Sequence, residues 1–293
     1  MDFIRSLLFI PGNRANMLEK GAGLPADALV LDLEDSVPPA EKANARGTVS
    51  EFVPKLSGKR LFVRVNGMTT QWVKDDIKAI VSGQIEGISI GKMESAAMAK
   101  ELSALLSEAE KKAGVPDGHT KVIAWIETAK GVIFAREVAE ATPRILGLAF
   151  GAEDFTADMG IARTKGGDEV IVAKAMTAIA ARAADVLAFD TPDPDFKDIP
   201  GMVAEATRAK SLGFKGKFAI HPAQIAAINE LFQPSKPEIE HARRVVAVFE
   251  EAKAKGSAAI ALDGKMVDTP VWKRAVKVLE VAEAMERGSV PKA

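Results

Sequence analysis

The chain has 293 residues, 47% of them hydrophobic, with 39 basic and 40 acidic side chains well mixed along it and a formal net charge of −1. That length and composition allow a large buried core and exclude a disordered chain, and the balanced charge excludes the one-sided basic field on which nucleic-acid binding depends. The absence of cysteine excludes disulfides and thiolate metal sites and leads us to expect a cytoplasmic protein.

The five-residue run between Arg5 and Pro11 is too short for a signal segment or a membrane span, so no membrane partner is expected and the run reads as a first buried strand. Similar short apolar, β-branched runs follow: ALVLDLED (28–35), RLFVRVN (60–66), GISIGKM (87–93), KVIAWIET (121–128), ILGLAFG (145–151), VLAFDTP (186–192) and GKFAIHP (216–222). With SLLFIPG (6–12) they number eight. Helical spacing and charge occupy the stretches between them, at 39–53, 71–82, 94–113, 130–140, 168–184 and 201–212. Nearly all-apolar strands alternating with helices imply parallel pairing with both faces covered, and eight such units predict a (β/α)₈ TIM barrel. The main competitor is a doubly wound open sheet. It would carry a glycine fingerprint after its first strand, but that strand runs into PGNRANM, which fits neither a dinucleotide loop nor a Walker loop.

Beyond His221-Pro222 the pattern changes to a helix at 223–232, a break at QPSKP, a charged helix at about 238–255, the segment GSAAIALDGKMVDTP and a last helix from Pro270. Residues 1–235 therefore read as the barrel, and 236–293 as a C-terminal helical extension with an ordered loop and no further strand. Asp263-Gly264 supplies a tight turn in that loop.

In a TIM barrel the side chains that do chemistry come from the C-terminal ends of the strands. In order, those ends offer Arg14 after strand 1, Asp32, Glu34 and Asp35 after strand 2, and Arg64 and Asn66 on strand 3. Lys92, Glu127, Glu153 with Asp154, Asp190 and His221 follow on strands 4 to 8. A charge set inside an apolar strand, as Arg64 and Glu127 are, must find a partner or lose its charge. Glu127 and the 153/154 pair sit on neighbouring strands, and hard oxygen ligands without Cys select Mg²⁺, with Mn²⁺ as the alternative. The competing reading is a buried arginine–carboxylate network that holds no ion. Neighbouring residues on an extended chain point in opposite directions, so Asp154 is expected to bind the metal with Glu127 while Glu153 supports the loop. The small Gly151-Ala152 step would let a carboxylate approach backbone N–H groups. Arg14 and Lys20 flank the start of a helix, which is either an anion site or a solvated basic surface. His119 and His241 are expected to be exposed, and His221 to support the site from behind.

SLLFIPGNRANMLEK, ALVLDLEDSVPPAEKANAR, FVRVNG, WIETAKG, LAFGAEDFTADMG, GKFAIHPAQI and DGKMVDTPVWKRA together resemble the CitE-like family, which contains the citrate lyase β subunit and the malyl-CoA and citramalyl-CoA lyases. That family belongs to the HpcH/HpaI aldolase superfamily of (β/α)₈ barrels, and the resemblance runs through essentially the whole chain. It implies that Glu127 and Asp154 are magnesium ligands and that Arg64 sits by the substrate oxygens. It implies that Phe9, Arg14 and Lys20 contact coenzyme A, and that Asp268, on a lid from a neighbouring subunit of a homotrimer or hexamer, is the general base. The implied reaction is a Mg²⁺-dependent cleavage or formation of a 3-hydroxyacyl-CoA, with an acyl-CoA and a 2-oxo acid as partners. Two alternatives are a pyruvate aldolase that uses no CoA and a citrate lyase β role acting on an acyl carrier protein, the latter disfavoured here by the C-terminal lid.

Overall fold

The computed structural model describes residues 3–286. Strands β1 (Ser6–Pro11), β2 (Ala28–Asp32), β3 (Arg60–Val65), β4 (Gly87–Ile90), β5 (Lys121–Ile126), β6 (Ile145–Phe150), β7 (Leu187–Asp190) and β8 (Gly216–Ala219) pair in parallel, each with the next. β8 returns to β1 and closes the barrel. The (β/α)₈ expectation is borne out. No helix among the described residues is long and apolar enough to cross a membrane.

Strand periodicity divides the core in two. Leu7, Val30, Phe62, Trp125, Phe189 and Phe218 fill the barrel interior, while the alternate residues Leu8, Leu29, Val63, Ile126 and Ala188 pack against the outer helices. The same period of two carries the inward face up to Asp32, Arg64 and Glu127, each two residues beyond an interior side chain. It turns Asp190 and Lys217 outward, because Phe189 and Phe218 beside them point in.

Helices α1 (Ala15–Gly21), α2 (Lys42–Phe52), α3 (Val73–Ile80) and α4 (Ala96–Ala113) follow the first four strands. The expected helix at 130–140 is broken into α5 (Ala129–Ile133) and α6 (Ala135–Glu140). An unexpected α7 (Ala152–Met159) starts at the end of β6. After α8 (Ile171–Ala183), α9 (Ile199–Leu212) and α10 (Ile225–Phe232) come α11 (Lys236–Ala254) and α12 (Thr269–Glu286).

Between α11 and α12 lies an antiparallel hairpin, β9 (Ile260–Leu262) and β10 (Lys265–Val267), where only a loop was expected. Its strands have three residues each, too short for alternation to register in the sequence. The turn between them sets Asp263 at φ 52° and Gly264 at φ 74°, the left-handed pair of a tight two-residue hairpin. This C-terminal segment has its own small core of Ala242, Val245, Phe249, Val267 and Ala275. Trp272, Val276 and Val281 of α12 line a cleft of about 670 Å³ with Phe3 and Phe214. Those two residues precede β1 and β8, so α12 lies towards the N-terminal ends of the strands.

Candidate active site

At the C-terminal mouth of the barrel, Phe9, Trp125 and Phe218 stack into an aromatic floor, with ring centroids 4.5 to 5.9 Å apart. The Arg64 guanidinium lies over Phe9, 4.5 Å from its ring centroid. Arg64 and Asp32 are register partners on β3 and β2. This pairing lets Arg64 fork onto Asp32, Nε to Oδ1 at 2.7 Å and Nη2 to Oδ2 at 2.6 Å. Nη1 reaches Asp35 at 3.0 Å and Glu34 at 3.4 Å. Burial alone would raise the Asp32 carboxyl, but the Arg64 charge and its fork, with the Ser36 hydroxyl, hold it below the ordinary carboxylate value. Asp32 and its two acidic neighbours therefore orient and charge-balance Arg64.

Glu127, just beyond β5, is buried at 7% exposure. Its Oε1 accepts the Lys92 backbone N–H at 2.8 Å. Burial pushes its carboxyl up to about 8, reinforced by Asp154 and Glu34 and opposed by the Lys92 amide and by Arg64. Glu34 is likewise pushed up by burial, to about 7, against the pull of Arg64. The two glutamates meet across Gly91, where a Cβ would lie 2.7 Å from Glu127 Oε1 and 3.1 Å from Glu34 Oε1. Glu127 and Glu34, both with raised protonation equilibria and with the Asp154 charge acting on Glu127, make this part of the mouth anionic.

Glu153 and Asp154 are not on an extended chain. Both lie in the first turn of α7, so a helical rotation of about 100°, rather than strand alternation, separates their side chains. Asp154 turns towards Glu127 and meets Lys92 Nζ at 3.2 Å. Glu153 turns away to Arg163, at 3.7 Å. The Gly151 N–H is taken by the Ile126 carbonyl and the Ala152 N–H by the Thr191 hydroxyl. The close approach at Gly151 is to Glu127 itself, since a Cβ there would sit 2.5 Å from Glu127 Oε2.

The other expected site residues are more scattered. Phe9 is inside the barrel under Arg64, whereas Arg14, just before α1, and Lys20, in its last turn, are exposed. His221 Nδ1 accepts the Ala223 N–H at 3.1 Å and its ring stacks on Phe196. His119 is half-buried and bonded to the Ile85 carbonyl rather than exposed. Asn66 holds Asp76 and the Leu33 carbonyl. Asp190 faces outward, buried between Lys217 at 2.8 Å and Lys174 at 2.9 Å. Both its parity and these partners remove it from the mouth. Asp268 caps α12, with Oδ1 accepting the Val271 N–H at 3.1 Å, at the start of a helix whose later residues line the cleft beside Phe3 and Phe214. Sequence reasoning passed over Lys92 as anything more than a strand-end lysine, because nothing in its neighbours signals its backbone turn, at φ 53°.

Residues 5–222 match the family model described as HpcH/HpaI aldolase/citrate lyase. The chain belongs to that family. It is 42% identical to the citrate lyase subunit beta of Leuconostoc mesenteroides subsp. cremoris, over 96% of this chain and 93% of that one. It is 36% identical to an L-malyl-CoA/beta-methylmalyl-CoA lyase of Cereibacter sphaeroides, over 95% and 94%. Among solved structures it is similar to the CitE protein of Mycobacterium tuberculosis in complex with magnesium, acetoacetate and coenzyme A. That match has a TM-score of 0.79 and 31% identity, over 96% of this chain and 98% of that one. Like the family, the chain is a lyase. Because the citrate lyase β relative spans the C-terminal segment too, that segment does not separate the two kinds of lyase and does not disfavour a citrate lyase β role.

Proposed function

We propose that the protein is a Mg²⁺-dependent carbon–carbon lyase of 3-hydroxyacyl-CoA thioesters such as malyl-CoA, methylmalyl-CoA or citramalyl-CoA, which releases acetyl-CoA or propionyl-CoA and a 2-oxo acid, glyoxylate or pyruvate. The observation that carries this reading is the convergence of Glu127 and Asp154 on one point, both held by Lys92, across Glu34 from a forked Arg64.

The donor set fits magnesium. Both candidate ligands are carboxylates, and Glu127 is buried, with its ionised form disfavoured by that burial and by the Asp154 and Glu34 charges. Among the described residues no group of three or more acid, His or Cys side chains is placed to hold a metal ion, so the protein would supply two ligands at most. An open two-carboxylate site, completed by water and substrate oxygens, is how Mg²⁺ is usually held. When bound, the ion supplies a Lewis acid for the oxo-acid oxygens. Arg64, fixed over Phe9 by Asp32, presents its guanidinium to the oxygen on which charge develops during bond cleavage. In the reverse direction a base takes the proton next to the thioester. Asp268 fills that role from a neighbouring copy in a homotrimer or hexamer, since the helix it caps packs towards the N-terminal ends of its own strands. Exposed Arg14 and Lys20, with Phe9 at the barrel mouth, are the groups proposed to hold coenzyme A.

The identity to citrate lyase subunit beta supports a second reading, cleavage of a citryl thioester on an acyl carrier. Incubation with malyl-, methylmalyl-, citramalyl- and citryl-CoA, with and without Mg²⁺, followed by assay of free oxo acid, tests both. Release of glyoxylate or pyruvate supports the first reading, and oxaloacetate alone supports the second. No product from any thioester, together with no CoA binding, removes the CoA-lyase reading.

A further inference from the structure

Lys92 is the residue that touches both candidate metal ligands. It follows Gly91 after β4, and its backbone has φ 53°, a left-handed conformation that a lysine adopts only at a cost and glycine adopts freely. Among the described residues the other non-glycine positions with positive φ are Asp185 and Asp263. Asp263 lies in the hairpin turn and Asp185 just after α8. Lys92 instead sits in the active-site mouth, where such strain persists only if the surrounding structure demands it.

Two contacts show what the turned backbone achieves. It aims the main-chain N–H at Glu127 Oε1, at 2.8 Å, and it leaves the ammonium group 3.2 Å from Asp154 Oδ1. A glycine would make the first contact with less strain but could not make the second, so the side chain has a task of its own. Its stem is largely exposed, which leaves the ammonium free to swing out into solvent.

Building on the reading that Glu127 and Asp154 hold the metal, we propose that Lys92 is a positioning residue that regulates metal occupancy. Its amide fixes Glu127, and its ammonium group neutralises Asp154 until a divalent cation displaces it. The ammonium is thus a tethered competitor for the ion. It keeps the carboxylate cluster charge-balanced in the metal-free protein and weakens metal binding by the cost of its displacement. Electrostatics makes the direction definite, since a unit positive charge within several ångström of a divalent cation disfavours that cation at any dielectric.

The test is a titration of metal-free protein with Mn²⁺, followed by calorimetry or by the loss of free-ion paramagnetic resonance, at about pH 8.5 so that the carboxyl groups are ionised. Wild type is compared with Lys92→Gln, Lys92→Arg and Asp154→Asn, each checked for folding by circular dichroism. Lys92→Gln is expected to bind Mn²⁺ about three- to tenfold more tightly than wild type, while Lys92→Arg, which keeps the charge, stays near wild type. Unchanged or weaker binding in Lys92→Gln overturns the proposed competition while leaving the metal site standing. Failure of wild type to bind Mn²⁺, or undiminished binding in Asp154→Asn, overturns the metal site and this inference with it.

Discussion

Arg64 and Asp32 face each other in register on β3 and β2 and share a two-point fork, at 2.7 and 2.6 Å. Because the Asp32 side chain is only 2% exposed, removing the guanidinium leaves a buried carboxylate without its counter-charge. Arg64→Ala is therefore expected to lose about 3–5 kcal/mol of stability by chemical denaturation. Arg64→Lys keeps the charge but not the fork. It should remain folded and lose about 100-fold in kcat, the scale of one misplaced oxyanion donor. A fully active Arg64→Lys would show that a point charge suffices there.

Asp154 and Glu153 separate in a single experiment. Asp154→Ala removes the carboxylate that faces Glu127, and cleavage is expected to fall by at least about 100-fold with loss of Mg²⁺ dependence. Glu153→Ala breaks a long contact from an exposed carboxylate to Arg163, which keeps Glu169 and Glu205 as partners, and is expected to keep activity within about threefold, since so loose a pair is worth under about 1 kcal/mol. Steady-state rates across a Mg²⁺ series decide it, and the reverse ranking would exchange the two roles.

The raised equilibrium of Glu127 makes the metal-free protein sensitive to pH. Its carboxyl titrates at about 8 in the folded chain against an ordinary 4.5, so the folded state binds the proton more tightly than the unfolded one. That contribution is complete below about pH 4.5 and is lost as pH rises through about 8, on the order of a few kcal/mol. The expected result is a melting temperature that falls from pH 5 to pH 8.5 in the presence of a chelator. The slope should be shallower in Glu127→Gln, and Mg²⁺ should restore stability to wild type at the alkaline end. Scanning calorimetry across that range would refute the assignment if Glu127→Gln followed wild type.

Gly151 is required by its neighbour rather than by its own backbone, whose φ of −105° suits any residue. A methyl group there would meet Glu127 at Oε2 and also at Cβ, the latter 2.8 Å away. Because the Cβ is anchored to the backbone, the side chain cannot simply swing aside. Gly151→Ala is expected to cost about 1–3 kcal/mol through overpacking and to weaken Mn²⁺ binding at least about tenfold by displacing the ligand. Titration and denaturation of the same variant measure both.

Of the two aspartates in the C-terminal hairpin region, Asp263 is held in the turn and paired with Arg244 at 2.6 Å, whereas Asp268 marks the start of α12. Asp268→Asn is expected to abolish α-proton exchange of acetyl-CoA in deuterated water, and Asp263→Asn to retain it, with mass spectrometry of the recovered thioester as the readout. Mixing Asp268→Asn with an Arg64→Lys variant tests delivery between copies, because partial recovery of exchange in the mixture requires one subunit's base at another's site.

Barrel class, strand order and the inward set of Arg64 and Glu127 were legible in the sequence because a period of two and an apolar run are local properties, carried by adjacent residues. The same period, counted from Phe189, excludes Asp190 from the mouth. Three features were not legible. The helix α7 begins within a run that reads as strand end, and it decides by rotation rather than by alternation which of Glu153 and Asp154 faces Glu127. The left-handed turn at Lys92 is seen only with its partner, since its N–H is bonded to Glu127, thirty-five residues further on. The placement of α12 against Phe3 and Phe214, towards the N-terminal ends of its own strands, rests on packing between segments far apart in the chain. The sequence by itself determined which side chains are charged, buried and inward-facing. Only the tertiary structure decided which of them meet, because those contacts are made between strands and loops far apart along the chain, by backbone turns that no local pattern specifies.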